Sequence, residues 1–300
     1  MHLDGAIVLA GAIVGFAVGL TGMGGGALMT PVLVLLLHVQ PAAAVSSDLV
    51  ASVFMKPVGG AVHLRRGTVH LKMAMWLAVG AVPAGFAGAA FLNVVAHGKT
   101  IENDVKYALG AALLVAVVGL VTRALTQPAT PPGEAERFPS VRVVPTVIVG
   151  VLGGFIVGVT SVGSGSLMIV ALMFLYPTLT GGQLVGTDLV QSVPLVGAAA
   201  LGQVIFGQVQ LSLTLSLMLG AIPAVYLGAR LSASAPNGLL RAAIGVMLLL
   251  SGLKLLSVSN AVLVGAGIAA VVVVVVAATV RARRRPALAG ALASAPGRSG

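Results

Sequence analysis

The 300-residue chain contains no cysteine, few aromatic residues and very little charge. The absence of cysteine excludes disulfide bonds, thiolate nucleophiles and metal sites with cysteine ligands. Aromatic residues make up 4% of the chain and charged residues 8%, whereas 58% of the residues are hydrophobic and the mean hydropathy is +1.10. A typical soluble domain has about 25% charged residues. The composition therefore excludes a water-soluble core and predicts a polytopic membrane protein whose surroundings are the lipid bilayer.

The few charges are mostly basic and give a formal net charge of +10. Such an excess can indicate nucleic-acid binding, but the bases lie in loops and in the tail, where membrane topology explains them. We therefore expect no nucleic-acid partner. The sequence has no HExxH, GxSxG or Walker motif, and its polar residues are too few for hydrolytic catalysis. These absences predict a protein that is not an enzyme and binds no cofactor and no metal.

The sequence repeats itself after about 140 residues. Three pairs of segments match at 8 of 14, 6 of 9 and 6 of 10 positions. In order, the pairs are FAVGLTGMGGGALM (16–29) with FIVGVTSVGSGSLM (155–168), VSSDLVASV (45–53) with VGTDLVQSV (185–193), and GAVPAGFAGA (80–89) with GAIPAVYLGA (220–229). A long repeat in an apolar chain is typical of a membrane protein with pseudo-two-fold symmetry and a site between the halves.

Hydropathy predicts transmembrane helices near 43–61, 73–96, 105–125, 183–202, 211–231, 239–257 and 261–280. The apolar segments 5–38 and 143–175 are too long for one crossing, because a 34-residue helix would reach about 51 Å across a core of about 30 Å. Glycine-rich stretches interrupt both, so each is predicted to be a helical hairpin or a broken helix.

The predicted fold is an all-α membrane protein with two inverted repeats, each containing a Gly-broken segment and three transmembrane helices. The predicted organisation is a first repeat (1–125), a cytoplasmic Pro-rich linker (126–142), a second repeat (143–257), an additional transmembrane helix (258–280) and a basic disordered tail (281–300). If the broken segments are hairpins, 13 of the 17 Lys and Arg residues lie on the cytoplasmic side, together with the C-terminus. Parallel halves would place 7 inside and 9 outside, so the positive-inside rule favours inversion.

The two glycine breaks are candidate anion sites. A broken helix leaves unpaired N–H groups at the start of its second half, and the helix dipole adds partial positive charge there. Alternatively, these glycines only allow close helix packing. The residues predicted to bind substrate are Thr21, Gly24, Gly25, Gly26, Ser47, Lys56, Thr160, Ser161, Ser164, Gly165, Ser166 and Thr187.

Asp48 and Asp188 are the only acidic residues within the apolar spans, and they are equivalent in the repeat. Carboxylates inside membranes usually have a function, such as proton transfer or cation binding. Alternatively, both are helix N-caps at the membrane interface. Lys56 lies mid-span, where the second half has Val196. It is predicted either to attract an anion, paired with Asp48, or to extend toward the headgroups.

With these motifs, residues 8–256 resemble the sulfite exporter TauE/SafE family of membrane permeases. Each half begins with a Gly-rich broken segment (GLTGMGGGALMTP and GVTSVGSGSLMIV), followed by a hydroxyl-rich helix start and a helix containing GA-x-P-A. The resemblance implies a bacterial inner-membrane permease for small sulfur-containing anions such as sulfite or sulfonates. The linker, the last span and the tail depart from it.

Two other functions stay open. The chain could be a permease for a cation such as a transition metal, with Asp48 and Asp188 as ligands. It could also be a membrane scaffold, although a scaffold has little need for two equivalent intramembrane acids. A homo-oligomer is compatible with the sequence, which also leaves open the direction and the coupling of transport.

Overall fold

The computed structural model describes residues 4–21, 25–95, 99–126, 139–162, 164–165, 167–207, 209–231, 237–259 and 261–269. The chain divides into two compact units, residues 1–257 and 258–300. All regular elements among the described residues are helices, so the predicted all-α class is confirmed. In the second unit, residues 261–269 are helical. The remainder of the predicted last span, the linker at 127–138 and the tail at 281–300 lie outside the described residues.

The first unit is built from ten described helices. They are α1 (Gly5–Thr21), α2 (Gly26–Leu35), α3 (Pro41–Arg65), α4 (Leu71–Val95), α5 (Lys99–Thr126), α6 (Val143–Thr160), α7 (Leu167–Leu175), α8 (Gly181–Phe206), α9 (Leu211–Leu231) and α10 (Asn237–Leu255). Both over-long apolar segments are therefore broken at their glycine-rich stretches, between α1 and α2 and between α6 and α7.

Four of the described helices are long and apolar enough to cross a membrane by length and composition. These segments are Leu71–Val94, Val143–Thr160, Gly182–Phe206 and Leu211–Gly228. Helix α3 is also long enough at 25 residues, but Asp48 and Lys56 make it more polar. The bundle exposes large apolar side chains and buries polar ones within its hydrophobic core, since Ile148 is 53% exposed whereas Asp48 is fully buried. Such a surface suits a lipid environment.

Close contacts between small residues join the two halves in a reciprocal way. Gly15 of α1 packs on the backbone of Ala221 in α9, and its repeat equivalent Gly154 of α6 packs on Ala81 in α4. At each of these glycines, a side chain would collide with the facing backbone. Interfaces of this kind hold membrane helices together through close van der Waals packing. Each half therefore packs its first helix on the fourth helix of the other half.

Helices α3 and α8, which are equivalent in the repeat, run antiparallel to each other. Near the start of α3, Ser46 donates a hydrogen bond to Gln203, which is near the end of α8. Near the end of α3, Gly60 lies against Val190 in the first half of α8. The residue numbers therefore increase along α3 in the direction in which they decrease along α8. The pair forms the centre of the interface between the halves.

The broken segments fold back on themselves. In the second half, the hydroxyl of Tyr176 after α7 accepts a hydrogen bond from the N–H of Arg142 at 2.7 Å and lies 2.7 Å from Thr146 Oγ1 near the start of α6. The end of α7 therefore returns to the start of α6. In the first half, Thr30 donates a hydrogen bond to Asp48, whereas Gly25, five residues earlier, lies near Met55, seven residues later. Helix α2 therefore runs antiparallel to α3. Both breaks consequently lie deep within the bundle.

Candidate functional site

The two breaks lie against each other in the interior of the first unit. Gly26, the first residue of α2, packs so closely on the carbonyl oxygen of Ser161 that a β-carbon at this position would overlap it. Ser161, the C-cap residue that follows α6, has a φ of 57°, and Gly165 has a φ of 92°. The left-handed region is uncommon for serine and usually marks a constrained turn. Gly26 therefore allows a close contact that joins the two breaks.

Asp48 of α3 contacts both breaks. Its Oδ2 accepts hydrogen bonds from Ser161 Oγ at 2.7 Å and from Thr30 Oγ1 at 3.1 Å. Its Oδ1 is buried and has no hydrogen-bond partner among the described residues, and it lies 3.8 Å from the position that a β-carbon on Gly25 would take. A buried acceptor without a donor is unfavourable in a low-dielectric interior. This oxygen is therefore suited to receive a proton or a donor group of a ligand.

Lys56 joins the polar face of α3 to the second break. It follows Asp48 by eight residues, which places both on similar sides of the helix. Its side chain is only 5% exposed, and its Nζ donates a hydrogen bond to Ser164 Oγ. Its charge also interacts with those of Asp188 and Asp48. Lys56 thus points into the interface between the halves and not toward the headgroups.

Asp188 of α8 lies in a second polar cluster. Its Oδ1 accepts a hydrogen bond from Gln191 Nε2 at 2.9 Å, and the same nitrogen lies 2.9 Å from the sulfur of Met168 in α7. Gln191 Oε1 is buried without a hydrogen-bond partner among the described residues. The interaction with Lys56 connects this cluster to the one around Asp48.

The interpretation of the two aspartates as helix N-caps is wrong. Helix α3 begins after Gln40, and the N-cap of α8 is Thr180, whose hydroxyl forms a capping box with Gln183. Asp48 and Asp188 lie two turns inside their helices, where no backbone N–H group is free to be capped. Their carboxyl groups therefore make tertiary contacts.

The hydroxyls of three other predicted site residues form hydrogen bonds with backbone groups or have no hydrogen-bond partner among the described residues. Thr160 Oγ1 donates to the carbonyl oxygen of Ile156 at 2.7 Å and helps to shape the second break. Thr187 Oγ1 accepts a hydrogen bond from the N–H of His70 at 3.0 Å and thereby holds the start of α4 against α8. Ser47 Oγ is buried and has no hydrogen-bond partner within the described ranges. Gly24, Ser166 and the side chain of Thr21 lie outside the described residues.

Sequence reasoning did not find Thr30 and Gln191. Their repeat equivalents are Ile169 and Ala51, so both are polar where the other half is apolar. Lys56, opposite Val196, shows the same asymmetry. A search for positions where only one half is polar would have found all three. Within the part of the chain that the structure describes, no three His, Asp or Glu residues form a metal-binding group.

Comparison with known proteins identifies the family. The profile described as Sulfite exporter TauE/SafE matches residues 7–255, which span almost all of α1 and the whole of α2–α10. The chain belongs to the sulfite exporter TauE/SafE family. It is therefore a membrane transporter, and the match ends before the second unit begins at residue 258.

Two relatives of this TauE/SafE protein come from Bacillus subtilis (strain 168). The probable membrane transporter protein YjnA is 37% identical over 254 residues, which cover 84% of this chain and 99% of YjnA. The probable membrane transporter protein YdhB is 25% identical over 252 residues, which cover 83% of this chain and 99% of YdhB. No solved structure matches the chain.

Proposed function

We propose that this TauE/SafE protein is an inner-membrane permease for small sulfur-containing anions, such as sulfite or sulfonates. The observation that carries this proposal is the contact of Lys56 with Ser164. A cationic side chain from the first half thereby lies in the helix break of the second half, beside Asp48. A charge at this depth in a membrane protein is costly and usually belongs to the transport pathway. Substrate would bind where the two breaks meet.

The groups around Lys56 suit an oxyanion. A substrate oxygen can replace Ser164 Oγ as the acceptor of the Lys56 ammonium group, because charge-assisted hydrogen bonds are stronger than neutral ones. The hydroxyl of Ser164 accepts from Lys56 and keeps its own proton for a substrate oxygen. The hydroxyls of Ser161 and Thr30 line the same region and donate to Asp48 Oδ2, so they can donate to a substrate only after they release this carboxyl group. Two nearby helix N-termini, those of α2 and α7, add partial positive charge.

We further propose that transport is coupled to protons through Asp48 and Asp188. The unpartnered Oδ1 of Asp48 lies at the first break, and both aspartates interact with Lys56. The two carboxylates and Lys56 together carry one net negative charge, so a proton on either carboxyl group offsets the charge that a monovalent anion brings. The net charge of the site then does not change on loading, which a low-dielectric interior favours over the addition of another buried charge.

We propose that the halves have inverted orientations in the membrane and that the C-terminus is cytoplasmic. The antiparallel packing of α3 on α8 supports the inversion, because these helices are repeat equivalents. The ring of His70 bonds the carbonyl oxygen of Pro139, so the start of α4 lies beside the chain leading into α6. This end of the bundle carries Arg65, Arg66, Lys72 and Arg142. The positive-inside rule makes it the cytoplasmic end.

Transport in proteoliposomes tests the proposed substrate class. We expect the purified protein to move labelled sulfite and short sulfonates, with each anion competing against the others, because they share the oxyanion group that Lys56 would bind. A panel of divalent transition metals serves as the comparison. Metal flux that is insensitive to these anions, without any sulfite or sulfonate flux, would support the cation permease instead, and flux of neither class would refute both substrate classes.

Single cysteines test the proposed orientation, since the chain has none of its own. We expect an impermeant thiol reagent to reach Arg66→Cys only from the cytoplasmic side and Gln210→Cys only from the opposite side. Both positions are exposed at the ends of helices, so labelling does not require opening of the bundle. If the same side labels both positions, the halves are not inverted.

A further inference from the structure

We propose that Gln203, together with Ser46 and Asn93, forms a closed gate across the substrate route at one end of the bundle. This end is marked by residues 207–210, which connect α8 and α9. The inference rests on the proposed transport function and adds the residues that open and close this side of the site.

The gate residues join three helices in a buried cluster. Gln203 of α8 has no exposed surface, and its Oε1 accepts hydrogen bonds from Ser46 Oγ of α3 at 2.7 Å and from Asn93 Nδ2 of α4 at 2.8 Å. Ser46 precedes Asp48 by two residues, which corresponds to a rise of about 3 Å along α3 and a rotation of about 200° around it. The cluster therefore lies between the halves, on the face of α3 that contacts α8, and it is nearer to this end of the bundle than Asp48 is.

The partners of Gln203 have alternative acceptors within their own helices. Ser46 Oγ is 2.8 Å from the carbonyl oxygen of Ala42, and Asn93 Nδ2 is 2.7 Å from that of Ala89. A hydroxyl group has only one proton, so Ser46 donates to either Gln203 or Ala42 at a given time. When Gln203 withdraws, Ser46 and Asn93 keep a hydrogen bond. Opening therefore leaves few groups unsatisfied, as a two-state element requires.

The amide nitrogen of Gln203 lacks the hydrogen bond that is expected of a purely structural polar group. Nε2 is buried and has no hydrogen-bond partner among the described residues, whereas buried polar groups in static cores are almost always bonded. An N–H donor at this position matches the oxygens of an anion that passes the cluster. Gln203 thus holds the gate closed through Oε1 and offers Nε2 to the substrate.

The repeat places a second polar closure at the opposite end of the α3–α8 pair. The equivalent of Gln203 is His63, whose Nδ1 lies 2.9 Å from Thr68 Oγ1. The side chains of His63 and Thr68 pack against Gly186, which is the repeat equivalent of Ser46. Transport by alternating access requires one closure on each side of the site. The two closures use different groups, so the Gln203 gate can be changed without altering the other one.

Accessibility of a buried cysteine tests the gate without using a substrate. Ser52 lies between Asp48 and Lys56 on α3 and is 2% exposed, so Ser52→Cys reports access to the central site. Adding Gln203→Ala should accelerate its labelling by an impermeant thiol reagent about tenfold, as expected for the loss of about two hydrogen bonds. The acceleration should occur only from the side that labels Gln210→Cys.

Thr146→Val provides the matched control. Like Gln203→Ala, it removes a buried polar group that has two close polar partners, here the hydroxyl of Thr146 in α6 near the opposite end of the bundle. This change should leave the labelling of Ser52→Cys unchanged. Asn93→Ala keeps Gln203 and should give a smaller acceleration, which serves as a second test if Gln203→Ala does not yield a monodisperse protein. The proposal is overturned if neither variant accelerates labelling, or if the control or the other side of the membrane gives the same acceleration. Faster labelling without flux of any tested anion would support the gate and refute the proposed substrate. Anion flux with unchanged labelling would support the proposed substrate and refute the gate.

Discussion

Replacing Lys56 with methionine is expected to abolish anion transport or to raise the apparent substrate constant by about tenfold to a hundredfold. Hydrogen bonds to a charged group contribute about 1.5–3 kcal/mol, and each 1.4 kcal/mol corresponds to about a factor of ten in affinity. Methionine has a similar length and fits the buried position between α3 and the second break. The amount of folded protein should therefore change little, and the measurement is the initial rate of sulfite uptake against concentration.

Two variants distinguish a binding role from a general effect of lost charge. Lys56→Arg keeps the positive charge and should partly preserve transport, although its planar donor group does not match the ammonium geometry. Lys72→Met makes the same chemical change at an exposed position at the start of α4 and should be silent. Unchanged kinetics in the Lys56→Met variant would show that this lysine does not bind the substrate.

The double variant Asp48→Asn with Asp188→Asn is expected to lose the response of transport to a proton gradient. Asparagine retains an oxygen that can accept the hydrogen bonds from Ser161 and Thr30, but it cannot ionise. For one proton moved with each anion, a gradient of about one pH unit can support up to about tenfold accumulation. The parent protein should show this accumulation in proteoliposomes, whereas the double variant should only equilibrate the anion.

Exchange of an exposed aspartate provides the control for this experiment. Asp4 is exposed and directly precedes α1, so Asp4→Asn should leave the response of transport to the proton gradient unchanged. If the double variant accumulates anion as the parent does, this pair does not carry the coupling proton. Loss of substrate binding together with the response would instead indicate that the carboxylates serve mainly to hold Lys56 and the second break in place.

The helices could be predicted from hydropathy and glycine placement because each depends on local sequence. An apolar stretch of about 20 residues satisfies its own backbone hydrogen bonds within one helix, whatever its neighbours are. The interruptions in α1–α2 and α6–α7 could likewise be predicted, because 34 apolar residues exceed the bilayer thickness. The equivalence of Asp48 and Asp188 followed from the repeat alone.

The functions of individual polar residues were less predictable, because they depend on which helices face each other. Thr187 stands next to Asp188 in the sequence, but its hydroxyl accepts a hydrogen bond from the backbone N–H of His70, which directly precedes α4. Thr30 stands 18 residues from Asp48, and both side chains meet because α2 folds back along α3. An intramembrane aspartate caps a helix if the helix starts directly after it, and it makes tertiary contacts if the helix starts two turns earlier. The sequence did not define the helix start closely enough to distinguish these two interpretations.

The sequence by itself determined that this is a helical membrane protein with two related halves, two broken segments and two equivalent acids within apolar spans, because composition, length and repetition are properties of the chain. Only the tertiary structure decided that Lys56 reaches Ser164, that Asp48 contacts Ser161, and that Gln203 connects three helices. Each of these contacts joins residues more than 100 positions apart. Such contacts arise from the close packing of glycine-lined helices, whose relative position and direction depend on the shapes of both partners and are not encoded in either segment alone.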